Sequence, residues 1–113
     1  MAGLSDEEFV SHITPTADAG DDIVIEAEDD GTAIVVLDGS NTSPGSQGIE
    51  QWIWRDGDSK QIGKTSKVKV RLPIGNHTFT LTVSDTARES STDTITVQVR
   101  GEVADDSFDL LND

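Results

Sequence analysis

At 113 residues the chain has room for one domain with short flanks, and its aliphatic β-formers, two tryptophans and three phenylalanines fill one modest core. A formal net charge of −14 excludes an electrostatic fit to nucleic acid or anionic lipid and keeps the chain dispersed. With no cysteine, disulfides, thiol nucleophiles and thiolate metal sites are excluded, while the compartment stays open.

The charge is unevenly spread. Residues 1–54 hold 12 acids and no Lys or Arg, residues 55–100 hold all 8 basic residues against 5 acids, and residues 101–113 add 5 acids. Met1–Val10 carries three acids and no base, unlike a secretory leader. No apolar run approaches the roughly 20 residues that span a bilayer, so membrane insertion is not expected.

In chain order, Ser5-Asp6-Glu7-Glu8 has the capping-box form and predicts a short helix over Asp6–His12, with Leu4, Phe9 and Val10 on its apolar side. Pro15 forces an extended path. Ile23 and Ile25 mark a first strand, and Glu28-Asp29-Asp30-Gly31 a turn. Thr32–Leu37 is apolar nearly throughout, which predicts a strand at the centre of a sheet. Asp38–Gly48, rich in Gly, Ser, Thr and Asn, is a long loop.

Ile49–Trp54 follows as a strand, with Trp52 and Trp54 two apart and therefore on one face. Asp56-Gly57-Asp58-Ser59 turns the chain. Lys67–Leu72 is the next strand, its Lys67, Lys69 and Arg71 forming a wet face opposite Val68, Val70 and Leu72. Together with Lys60 and Lys64 these cations are the one region that could attract an acidic partner, and the wet face of a strand accounts for them more simply. Pro73-Ile74-Gly75-Asn76 predicts a hairpin connection. His77, Phe79, Leu81 and Val83 then share one face against Thr78, Thr80, Thr82 and Ser84, and Ile95, Val97 and Val99 repeat the scheme.

Strands at spacings of about ten residues indicate an all-β fold, an immunoglobulin-like sandwich of six to seven antiparallel strands. The organisation expected is a flank at residues 1–14, the sandwich at 15–100 and an acidic tail at 101–113 in which acids alternate with Phe108, Leu110 and Leu111.

From about Pro15 to Val99 the chain resembles the PKD domain family, immunoglobulin-like sandwiches of surface proteins. The matching phrases are Thr16-Ala17-Asp18-Ala19-Gly20-Asp21-Asp22, Leu37-Asp38-Gly39-Ser40, the pair Trp52 and Trp54, the run from Leu72 through Gly75 to Thr78–Asp85, and Ser91-Thr92-Asp93-Thr94. The resemblance implies the sandwich fold and a core built on Trp52, Trp54, Phe79, Leu81 and Val83. Some members bind calcium through two aspartates in the loop after the Leu-Asp-Gly-Ser phrase. Here those positions are Pro44 and Ser46, so that site is expected to be lost.

Catalysis lacks an inventory: two histidines, no serine in a nucleophile-elbow setting, and carboxylate pairs such as Asp56/Asp58 that sit in a turn. Calcium needs six to eight converging oxygens, for which Asp18, Asp21, Asp22, Asp38 and Asp85 are the candidates, and a dispersed acidic surface accounts for them more simply. No cofactor is expected. Adjacent-face tryptophans on a mid-chain strand read as core rather than as a sugar platform.

The function expected is therefore a non-catalytic structural or binding module. Its first form is a virion decoration protein of a phage capsid or tail, a complete product starting at Met1, anchored through Leu4, Phe9, Val10, Phe108, Leu110 and Leu111. Homo-oligomers on the assembly fit this form. The alternative is a spacer or binding module cut from a larger secreted enzyme or adhesin, with neighbouring domains as partners and a cell-surface or extracellular location.

Overall fold

Alternation with a period of two sends every second side chain of each long strand inward, and the fold follows from stacking those apolar rows. The computed structural model describes residues 13–101. It contains β1 (Ile23–Glu26), β2 (Thr32–Asp38), β3 (Ile49–Arg55), β4 (Gln61–Gly63), β5 (Lys67–Pro73), β6 (Gly75–Asp85) and β7 (Ser90–Arg100). The helix expected over Asp6–His12 and the apolar positions of both flanks lie outside the described residues. Among the described residues no helix is long and apolar enough to cross a membrane.

The strands form a five-stranded sheet in the order β1-β7-β6-β3-β4 and a two-stranded sheet of β2 and β5. Six to seven antiparallel strands were expected; seven are present, and one pair, β1 with β7, is parallel, with Ile23 opposite Val97. The longest ladder joins β6 to β7 antiparallel, from Gly75 opposite Val99 to Ser84 opposite Ser90. Between the sheets lie Ala33, Val35 and Leu37 of β2, Leu72 of β5, Trp54 of β3, Phe79, Leu81 and Val83 of β6, and Ile95, Val97 and Val99 of β7. Trp54 is fully buried and Trp52 half-buried against the same core, their register partners being Leu81 and Val83.

Two expectations about connectivity are corrected. The strand expected at Thr32–Leu37 is not central: among the described residues β2 pairs with β5 alone, so its second face, carrying Ile34 and Val36, meets solvent. An unbroken apolar run usually means burial on both faces, but nothing in the five-stranded sheet reaches the outside of β2. Nor is Pro73–Asn76 a hairpin. β5 pairs with β2 and β6 pairs with β3 and β7, so this connection carries the chain from one sheet to the other. Gly75 takes φ 141° there, a conformation open to glycine and poorly tolerated by residues with a β-carbon. Turn residues report a reversal of direction and do not say whether the strands on either side pair with each other. The three-residue β4 has no alternation to read and was not expected.

The segment before β1 lies along β7 by bonds between backbone and side chains. Ala17 N–H donates to Ser91 Oγ at 3.0 Å, and Ala19 N–H donates to Asp93 Oδ2 at 2.8 Å. Thr96 N–H donates to Asp22 Oδ1 at 3.0 Å. These bonds tie the two segments together: Ser91 and Asp93 accept from the backbone of Ala17 and Ala19, and Asp22 in turn accepts from Thr96 of β7.

Candidate interaction surface

The aspartates considered for calcium are engaged one by one with nearby backbone. Asp18 Oδ1 accepts the Gly20 N–H at 2.8 Å, and Asp22 is held by Thr96 as described. Asp38 Oδ1 accepts the Ser40 N–H at 2.9 Å. Asp85 is buried, its Oδ1 accepting the N–H groups of Ala87 and Glu89, while its Oδ2 has no hydrogen-bond partner among the described residues. Asp21 is exposed. No group of three or more His, Cys, Asp or Glu that could hold a metal ion occurs among the described residues. The loop positions Pro44 and Ser46 lie where the resemblance would place calcium ligands. Ser46 instead anchors the incoming chain, its Oγ accepting the Ile13 N–H at 2.7 Å and its own N–H donating to the Ile13 carbonyl at 3.0 Å.

At one end of the sandwich an open cleft of about 480 Å³ is lined by Asp56, Asp58, Val70, Arg71, His77 and Phe79, among others. Its polar groups are tied to backbone rather than to each other. His77 Nε2 is 2.8 Å from the Pro73 carbonyl oxygen. Asp56 Oδ1 accepts the N–H groups of Asp58 and Lys60 at 2.9 and 3.0 Å. This is an Asx turn with a histidine locked beside it, and neither carboxylate of the turn is hydrogen-bonded to the imidazole as a catalytic pair would be.

The outer face of the β2–β5 sheet has a different character. Antiparallel register sets Ile34 opposite Arg71, Val36 opposite Lys69 and Asp38 opposite Lys67. Ion pairs sit at both ends, Arg71 Nη1 to Asp30 Oδ2 at 3.2 Å and Lys67 Nζ to Asp38 Oδ2 at 4.0 Å. Arg71 also donates to Thr32 Oγ1 at 3.1 Å. Hydrogen bonds from the Thr32 hydroxyl and N–H, with Arg71 nearby, hold the Asp30 carboxyl below its ordinary range. Hydrogen bonds from Ser40, with Lys67 nearby, do the same for Asp38. Lys67, Lys69 and Arg71 are all exposed. Sequence reasoning found these cations and missed Ile34 and Val36 beside them. The signal was present, since Ala33, Val35 and Leu37 complete an inward row without the two.

No protein-family model matches the chain. A PKD domain from the KIAA 1837 protein, determined in solution, superposes with a TM-score of 0.60 at 29% identity, covering 76% of this chain and 86% of that one. The fold is that of the PKD domain. A solved structure from work on carbohydrate-binding modules of the β-sandwich superfamily also superposes with a TM-score of 0.60. Its 23% identity, with 78% of this chain and 35% of that chain covered, bears on the fold alone. In sequence, human low-density lipoprotein receptor-related protein 11 is 33% identical over 90 residues, which is 75% of this chain. The chain spans 17% of that protein's length. In this PKD-like sandwich the motif residues are structural: Trp54 fills the core, Asp38 and Asp85 cap turns, and Ser91 and Asp93 hold the first segment.

Proposed function

We propose that the chain is a non-catalytic display and interaction module. In its specific form it is a decoration protein of a virion shell, with the acidic sandwich outward and the apolar positions of the two flanks making the attachment. One observation carries the non-catalytic reading: the cleft carboxylate Asp56 and the neighbouring His77 are each bonded to backbone, with no nucleophile paired to a base among the described residues. The net charge of −14 supports outward display, because like-charged neighbours stay dispersed and nucleic acid is repelled.

The test is density-gradient sedimentation of native source material, with the chain followed by mass spectrometry. Co-migration with a large particle at fixed stoichiometry is the expected result. Recovery of these peptides only within a longer polypeptide overturns the particle reading. It would favour a second reading, a PKD-like module of a larger secreted or surface protein. That reading is supported by the match to a stretch amounting to 17% of a long receptor-related protein.

A further inference from the structure

In a strongly acidic chain, the outer face of the β2–β5 sheet sets exposed aliphatic side chains among cations. Ile34 is 42% and Val36 48% exposed, and across the strand pair they stand beside Arg71 and Lys69. Lys69, between the two ion pairs that close the ends, has no ion-pair partner among the described residues. Among the described residues each strand of this sheet also has one unpaired edge.

The chain leaves the sandwich close to this face. β7 ends at Arg100, and Gly101 abuts Ile74, so that a β-carbon built on it would lie 3.3 Å from Ile74 Cδ1. Ile74 is itself exposed and directly follows Pro73, the last residue of β5. Residues 102–113 hold five acids and no base, together with Val103, Phe108, Leu110 and Leu111. An extended segment of that length spans about 40 Å, whereas a seven-residue strand measures about 23 Å. The segment therefore has the reach to cover the face from the Arg71 end to the Lys67 end.

We propose that residues 102–113 dock in cis on the outer face of the β2–β5 sheet, their carboxylates on Lys67, Lys69 and Arg71 and their apolar residues on Ile34 and Val36. Exposed ion pairs alone are weak and screened by salt, so the apolar contacts must supply part of the attraction. Tethering helps: a segment joined at Gly101 is held at an effective concentration in the millimolar range, where modest intrinsic affinity suffices. Docking is a property of the free chain and does not depend on the display reading. On a particle the same residues would exchange the sandwich face for the shell.

Amide NMR spectra of the purified full chain test the proposal without any particle. Two surface variants are compared with the parent: F108S/L110S/L111S, and K69E. The first should shift the amides of Ile34, Val36, Lys69 and Arg71, and the second should shift those of Phe108 and Leu110. Added salt should move the parent peaks toward the variant positions. Equal melting temperatures would show that both variants remain folded, and a variant that unfolds is replaced by F108S or K69Q alone. Unchanged strand amides in the first variant overturn the proposal. Shifts that grow with protein concentration overturn it too, in favour of docking between two copies.

Discussion

Asp85 Oδ1 accepts the backbone N–H of Glu89 at 2.8 Å and that of Ala87 at 2.9 Å, so one buried carboxylate ties the turn between β6 and β7. That turn starts the longest ladder of the fold. D85A should cost about 2–4 kcal/mol, since two N–H groups lose their acceptor. D85N keeps a carbonyl acceptor and should cost less. Urea midpoints check both, with the m-value unchanged.

Trp54 is fully buried, and its indole N–H donates to the Thr65 carbonyl at 3.1 Å. W54A should therefore destabilise by about 3–5 kcal/mol through the cavity and the orphaned carbonyl. W54F, which keeps an aromatic body but loses the donor, should lose less. Thermal or urea unfolding gives both values. The half-buried Trp52 should be the more accessible of the two to acrylamide, read in W52F against the parent.

Gly39 is required by contact rather than by backbone angle. A β-carbon there would sit 2.6 Å from Leu81 Cδ2 and 3.3 Å from Trp54 Cζ2, both in fully buried side chains. G39A should cost about 1–3 kcal/mol as overpacking. A melting temperature equal to the parent's would show that the core yields there.

The pH dependence has a defined sign. Asp30 and Asp38 titrate lower in the folded chain than aspartate normally does, chiefly through hydrogen bonds from Thr32 and Ser40. Their contribution is present above the ordinary aspartate range, about pH 3.9, and is lost as pH falls through the lowered folded values. The double variant D30N/D38N should therefore lie closer to the parent in melting temperature at low pH than at neutral pH. Comparing the two proteins removes most of the general relief of acidic self-repulsion on protonation, the variant being only two charges less acidic.

Calcium should leave the melting temperature unchanged. Asp18, Asp38 and Asp85 each direct an oxygen to an N–H two residues on, and Asp22 directs one to the Thr96 N–H, rather than to a shared centre. A rise that grows with the logarithm of calcium concentration would show binding and reverse this expectation.

The strands and their inward rows were legible because alternation is local. His77 through Val83, and Ile95 through Val99, declare a buried face without reference to any neighbour. The long loop and the Asx-type turns were legible for the same reason, since Asp and Gly act on backbone within a few residues. The charge pattern, with acids alone before Arg55 and a cationic row on β5, is also a property of the sequence. Partition into sheets was not legible. Nothing near Thr32–Asp38 says that β5 is its sole partner among the described residues, and nothing in Pro73–Asn76 says that the chain changes sheet there. Those outcomes are decided by long-range pairing, as are the exposure of Ile34 and Val36 beside Lys69 and Arg71 and the dispersal of the aspartates. Periodicity assigns a side chain to one of two faces; only the packed sheets decide which faces are covered.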